Sequence, residues 1–292
     1  MTLDEYQALA RKTVQDVEPG NERIIALLGL AGEAGELLSE YKKHLRDGQA
    51  HRLFPLRIRE ELGDLLWYVA RSADLFDLRL QELADFNLAK TAARYGQGDL
   101  QGSLAIPHLF DSTYPENERL PRKMQVELRQ VDSGERVVIH TFVNGERKGD
   151  DLTDNAYKGD GYRFHDVFHF SYAGVLGWSP VVRLILGCKR RSDSEVDEVE
   201  DGGRAKVIDE GISAMVFAYA TDHGYLEGVA KVDPELLKTI GGMTRHLEVA
   251  LCTPLEWESA IMQGYAVWRH IMANQGGVFL VDLDARTIAV EK

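Results

Sequence analysis

Basic residues are scarce in this chain. Lys and Arg number 34 against 47 Asp and Glu, a net charge of -13 over 292 residues. Proteins that hold nucleic acid or an anionic membrane surface neutralise phosphates with an excess of cations. That excess is missing, so neither partner is expected. The deficit leaves room for a small phosphate-bearing molecule, because a bound metal ion inverts the local charge. Cysteine is rarer still. Cys188 and Cys252 are far apart, form no CxxC and sit among apolar neighbours, so they read as buried thiols in a reducing compartment. No apolar run approaches the roughly 18 residues of a spanning helix. Residues 1–20 carry Asp4, Glu5, Asp16 and Glu18 rather than an apolar leader, and a cytoplasmic protein is expected.

Acids, by contrast, are placed with regularity. Glu33-Ala-Gly-Glu36 and Glu61-Leu-Gly-Asp64 are two carboxylate pairs, each with i, i+3 spacing and each in a helical stretch. Residues three apart share one face of a helix. Four acids on two facing helices repel one another. A hard divalent cation relieves the repulsion, since it binds oxygen ligands and then grips phosphate oxygens. The expectation is a site for Mg2+, with Mn2+ able to substitute. Gly29, Gly32 and Gly35 recur three apart on the first of these helices. Each costs about 1 kcal/mol relative to Ala, and close approach of a neighbouring backbone is the expected reason.

Apolar periodicity gives a helix over 3–15, a break at Pro19-Gly20-Asn21, and a long helix over 22–46 ending near Asp47-Gly48. Pro55 suits the first turn of a helix running to 73, and another covers 80–95. Four helices with short connections predict a bundle. From 97 to 121 Gly, Ser, Pro, Asp and Asn accumulate, as in a linker. Segments 125–131 and 136–142 alternate around Ser133-Gly134, a hairpin signal. Helical patterns return at 162–176, 180–188, 205–222, 234–248 and 255–273. A second hairpin pairs 278–281 with 287–290. Asp193–Asp201 holds six acids in nine residues and reads as a solvated loop.

The run from Gly29 to Lys43 resembles the second helix of the MazG-like all-α nucleoside triphosphate pyrophosphohydrolases. The run Ile58 to Tyr68 resembles their third helix, and Asn87-Leu-Ala-Lys90 with Arg94-Tyr95 the segment that closes their site. Tyr6-Gln7 and Thr13 fit the opening helix of the phage-like branch. The whole chain also resembles family members that carry a further C-terminal domain. The resemblance implies Mg2+-dependent cleavage of nucleoside or deoxynucleoside triphosphates to monophosphate and pyrophosphate, in pool cleaning or nucleotide depletion. It implies metal ligation and catalysis by Glu33, Glu36, Glu61 and Asp64, and nucleotide contacts from Asn87, Lys90, Lys43 and Arg94. Trp67 and Tyr68, beside Asp64, are placed to face the base or to pack in the core. A homodimer or larger homo-oligomer is implied as well. Related readings are a hydrolase of an alarmone or a phosphoribosyl nucleotide, and a nucleotide-sensing protein whose C-terminal domain recognises a ligand or partner.

The chain therefore divides into a mainly α bundle over 1–98, a linker over 99–121, and an α+β domain over 122–292 built of helices and two β-hairpins. The pattern also admits a degenerate second bundle. Glu210 aligns with Glu61, Ser213 with Asp64, and Asp166 and His169 keep the spacing of Glu33 and Glu36. His165, Asp166, His169 and Glu210 are expected as a second ligand site, for a metal or a nucleotide.

Overall fold

The computed structural model describes residues 1–15, 18–95, 107–132, 134 and 137–291. The chain forms two compact units, Met1–Ala92 and Ala93–Lys292.

The first unit is helical. α1 (Leu3–Ala10) opens on a capping box. Thr2 Oγ1 accepts the Glu5 amide and the Glu5 carboxylate accepts the Thr2 amide, which satisfies two amides that a helix start otherwise leaves bare. A single 3-10 turn over Arg11–Thr13 then takes the place of the helix expected to 15. α2 (Glu22–Asp47) stops at Gly48, whose φ of 56° suits glycine. α3 (Phe54–Leu75) has Pro55 in its first turn, and α4 (Leu80–Tyr95) follows. α2 packs along α3, and α1 against α3. Gln7 pins α1 to the α3–α4 turn. Its amide donates to Asp74 Oδ1 (2.7 Å) and Leu78 O (3.0 Å), and its Oε1 accepts the Leu80 amide at 2.7 Å.

The core of this unit is small: Ala10, Ala70 and Leu80, packed by Leu3, Tyr6 and Trp67. Ile25, Leu28, Leu38 and Leu45 on α2, Leu62 and Leu66 on α3, and Phe86 and Leu88 on α4 are exposed. Only one of the three spaced glycines meets the expectation of close approach, and what it meets is a ring rather than a backbone. A Cβ on Gly29 would run into the Tyr68 ring, whereas Gly32 and Gly35 face open space.

The second unit is a five-stranded antiparallel sheet covered by helices. The strands are β1 (Lys123–Asp132), β2 (Val137–Val143), β3 (Glu146–Leu152), β4 (Gly276–Asp282) and β5 (Thr287–Val290), in the order β3-β2-β1-β4-β5. The two expected hairpins are thus halves of one sheet, joined where Val126 of β1 faces Val143 on one side and Phe279 on the other. Met124, Val126 and Leu128 point into the core, as do Phe279 and Val281. The second-bundle alternative is not met, because the helices of this unit lie on a sheet.

α5 (Asp166–Leu176) is buried along its whole length against β4, β5 and α10 (Pro254–Asn274). Small residues permit the tight α5–α10 contact: Ser171 donates to the Ala260 carbonyl at 2.6 Å beside Gly264. α6 (Pro180–Leu186), α7 (Ser194–Val199), α8 (Gly203–Thr221) and α9 (Pro234–Thr244) complete the unit. Part of the acidic run expected as a solvated loop is α7. Asp193 caps it, accepting the Glu195 and Val196 amides.

Of the stretch expected as a linker, 97–106 lies outside the described residues. The part from 107 to 121 packs in the second unit, with Asp111 and Leu120 buried and Asp111 Oδ2 accepting the Leu120 amide at 2.7 Å. Its Pro, Ser and Asn mark irregular backbone, but that backbone is packed. Beneath it runs a buried charge network. Arg183 donates to Asp111 (2.8 Å) and to the Glu118 carbonyl (3.0 Å). Arg190 donates to Asp201 (2.8 Å) and Glu248 (2.7 Å).

Candidate functional site

The i, i+3 acids of α2 and α3 meet across the pair of helices. Ligating oxygens of Glu33, Glu61 and Asp64 lie within 4.8 Å of one another. Glu33 and Glu61 are half-buried and Asp64 is exposed. Burial and the charges of Glu33, Glu36, Asp64 and Glu40 push the Glu61 carboxyl above the usual carboxylate range. Glu36 therefore contributes to the field, but it stands outside the converging three and is exposed. The donors are all hard oxygens, a set suited to Mg2+ or Mn2+, so the residues present fit such an ion. Replacing one of three mutually repelling acids should stabilise the metal-free protein. Glu61→Gln is expected to raise its melting temperature at neutral pH, measured by scanning fluorimetry in chelator. A drop would mean that Glu61 makes a structural bond instead.

The other expected residues divide. Lys43 is paired with buried Glu40, which His51 Nε2 also approaches at 3.4 Å. Trp67 donates its indole N–H to Thr13 Oγ1 at 2.7 Å, packs on the small core and meets the Tyr68 ring edge-on. Both residues thus have structural partners. Asn87 is exposed on α4, and its carbonyl accepts the Thr91 hydroxyl. Lys90 and Arg94 fall in α4, but their side chains lie outside the described residues.

In the second unit three of the four expected residues converge. Ligand atoms of His165, His169 and Glu210 lie within 4.8 Å of one another. His165 ends the 3-10 turn over Tyr162–Phe164 and stands at the head of α5, with its ring stacked on Tyr162 at 4.5 Å. His169 is one turn further on and fully buried. Asp166 is absent from the cluster, because its carboxylate accepts the Thr141 hydroxyl at 2.8 Å. Asp209, which spacing did not single out, orients His169 instead: Nδ1 lies 2.8 Å from Asp209 Oδ1. Burial works against charge on His169, but Asp209 and Glu210 outweigh it and push the imidazole up to about 10. Burial and the neighbouring His169 push His165 down. The His169 imidazole, 3.3 Å away, holds Glu210 below the usual carboxylate range.

A third grouping, His108, Cys252 and Glu256, is committed elsewhere. Glu256 pairs with Arg286 at 2.7 Å and with His108 at 2.9 Å, and it closes the capping box of α10. Burial pushes the Cys252 thiol up to about 12, and its Sγ donates to the Leu176 carbonyl.

Comparison with known proteins places these sites in two matched regions. Residues 22–97 match the family model of the MazG nucleotide pyrophosphohydrolase domain, and residues 105–292 that of the MazG C-terminal domain. The chain is also 41% identical over 112 residues to Gene 37 protein of Mycobacterium phage L5, an alignment covering 35% of this chain and 96% of that protein. No solved structure matches. Among the described residues, no helix is long and apolar enough to cross a membrane. The C-terminal match alone spans more than half of the chain and follows the catalytic-domain match in order, so the chain belongs to the MazG nucleotide pyrophosphohydrolase family, in a form carrying the MazG C-terminal domain.

Proposed function

We propose that this protein hydrolyses nucleoside or deoxynucleoside triphosphates to monophosphate and pyrophosphate, with Mg2+ or Mn2+ held by Glu33, Glu61 and Asp64. The observation that carries the reading is the convergence of those three carboxylates between α2 and α3, in the region that matches the pyrophosphohydrolase domain. A divalent ion held by these three carboxylates would supply Lewis-acid chemistry there, lowering the pKa of a bound water and offsetting phosphate charge. Glu36, exposed beside the three and outside their set, is the carboxylate left to accept the proton of the attacking water. Asn87, Lys90 and Arg94 on α4 supply the contacts to the nucleotide and its phosphates. The test is a panel of ribo- and deoxyribonucleotides with and without Mg2+, resolving monophosphate, diphosphate, phosphate and pyrophosphate. Release of phosphate and diphosphate in place of pyrophosphate and monophosphate would refute the cleavage position.

The same reading extends to assembly. The first unit buries few apolar side chains and exposes Ile25, Leu28, Leu62, Leu66 and Phe86. Large apolar side chains exposed in such number point to an interaction site. A second copy of the chain is the proposed cover. Light scattering is expected to give about 66 kDa, twice the 32.8 kDa chain; a 33 kDa species at micromolar concentration would rule the pair out.

A further inference from the structure

We propose that His165, His169 and Glu210 form a second metal centre, for a divalent first-row transition ion such as Zn2+, with a coordination position left open. Hydrogen bonds fix both tautomers. His165 Nδ1 lies 2.8 Å from the Tyr162 carbonyl, which can only accept, so Nδ1 carries the hydrogen. His169 Nδ1 lies 2.8 Å from the Asp209 carboxylate, and the same holds. Each imidazole in its neutral form therefore presents a bare Nε2. Both face one atom, Glu210 Oε2, at 3.9 Å from His165 and 3.3 Å from His169. Donors placed about 2.0–2.2 Å from a tetrahedral ion lie roughly 3.3–3.6 Å apart, a spacing that the His169–Glu210 pair has and the His165–Glu210 pair approaches.

Three further observations favour a ligand over packing. His169 is fully buried, yet among the described residues its Nε2 makes no well-formed hydrogen bond, with Glu210 Oε2 standing at 3.3 Å, a costly arrangement for a core histidine. Its orienting carboxylate is itself held. Asp209 Oδ2 accepts the Ser179 hydroxyl at 2.6 Å and the Val181 amide at 3.2 Å. A carboxylate that fixes the far nitrogen of a histidine is the usual support of a metal ligand. Lastly, an ion pair of His169 with Asp209 and Glu210 would leave the aim of His165 unexplained, although its Nε2 faces the same oxygen.

The donor set selects the ion. Two imidazoles disfavour Mg2+ and Ca2+ and suit Zn2+, Fe2+, Ni2+ or Cu2+, in contrast to the all-oxygen cluster of the first unit. Three protein ligands leave a place for water or for an anionic oxygen of a ligand, as in open rather than closed sites. That place opens at Glu210, whose side chain is 48% exposed while those of the two histidines are 9% and 0% exposed. Asp166, between the histidines in sequence, is engaged by Thr141.

The test uses the full chain stripped with chelator and titrated with Co2+ alone, read by visible ligand-field absorption, with Zn2+ as competitor. Circular dichroism monitors the fold of each variant. The wild type is expected to give an intense low-coordinate band that stoichiometric Zn2+ abolishes. Glu210→Gln, at a half-exposed position, and His165→Ala are each expected to weaken the affinity by more than the roughly 10- to 100-fold cost of second-shell losses. Glu61→Gln, in the first unit, should leave the band unchanged. No band from folded wild-type protein would overturn the proposal. So would a band unaltered in folded Glu210→Gln and His165→Ala, or one lost in Glu61→Gln. Triphosphate hydrolysis assayed on the same samples reports on the first site separately.

Discussion

Glu61→Gln and Asp64→Asn should each lower kcat for triphosphate hydrolysis by at least about 100-fold, the scale of losing one group that stabilises charge in the transition state. Each removes a charged oxygen from a cluster whose three members lie within 4.8 Å of one another. Weaker metal binding should appear as a higher Mg2+ requirement, so part of the loss should be recovered at high Mg2+. Glu36→Gln should behave differently. It stands outside the three, so its Mg2+ requirement should stay near wild type while kcat falls by about 10^2- to 10^4-fold, the range of general-base catalysis. Initial rates across a Mg2+ series separate the two behaviours. Full activity of Glu61→Gln and Asp64→Asn at saturating metal would sink the assignment of the site.

The second large effect concerns folding. Asp201→Ala is expected to destabilise the second unit by about 3 kcal/mol, the lower end of the cost of breaking a buried pair, because Glu248 still accepts from Arg190. Arg190 is fully buried and donates three bonds to the Asp201 carboxylate, two from its guanidinium at 2.8 and 3.2 Å and one from its backbone amide at 2.7 Å. Replacing Arg190 and Asp201 together by apolar residues should cost less than either single change. Asp111 adds a pH dependence. Burial pushes its carboxyl up, but the Leu120 amide, Arg183 and Arg122 outweigh burial and hold it below the usual range. A depressed folded value contributes stability above the unfolded value near 3.9, and that stability is lost as pH falls through the lower folded value. The deficit of Asp111→Asn, measured by urea unfolding, should thus be largest near neutrality and shrink below about pH 4. An equal deficit at both ends would show that the carboxylate charge plays no part.

The elements that sequence reveals best here are those whose pattern meets its own packing. α2 and α3 follow from apolar periodicity, Gly48 and Pro55, and their acids follow from the three-residue spacing. β1 alternates because one face is core. β3 escapes that logic: at the sheet edge, Glu-Arg-Lys-Gly-Asp-Asp-Leu has no buried face to alternate with. Its turn was nevertheless signalled, since Asn144-Gly145 adopts positive φ at both residues and that pair is the strongest short hairpin cue. α7 is hidden in an acidic run because its cap, Asp193, looks like one more solvated charge. Asp201, in the same run, is buried because Arg190 is folded beneath it, a long-range pairing that no local pattern encodes. Asp209 is the same case within the second cluster. Adjacent to Glu210 on α8, it turns inward to His169, and only the packing of α5 against α8 tells the two acids apart.

The edge strand has a consequence for behaviour in a crowded solution. A sheet edge offers unpaired amides and carbonyls to any extended chain, and charged residues there discourage strand addition. β3 carries Glu146, Arg147, Lys148, Asp150 and Asp151, with Arg147 and His140 both turned to Asp151 and a break in register between Ile139 and Thr141. The opposite edge, β5, is only four residues long. One edge is thus guarded by charge and the other by brevity. Fibrillar growth through either edge of this sheet is thereby disfavoured.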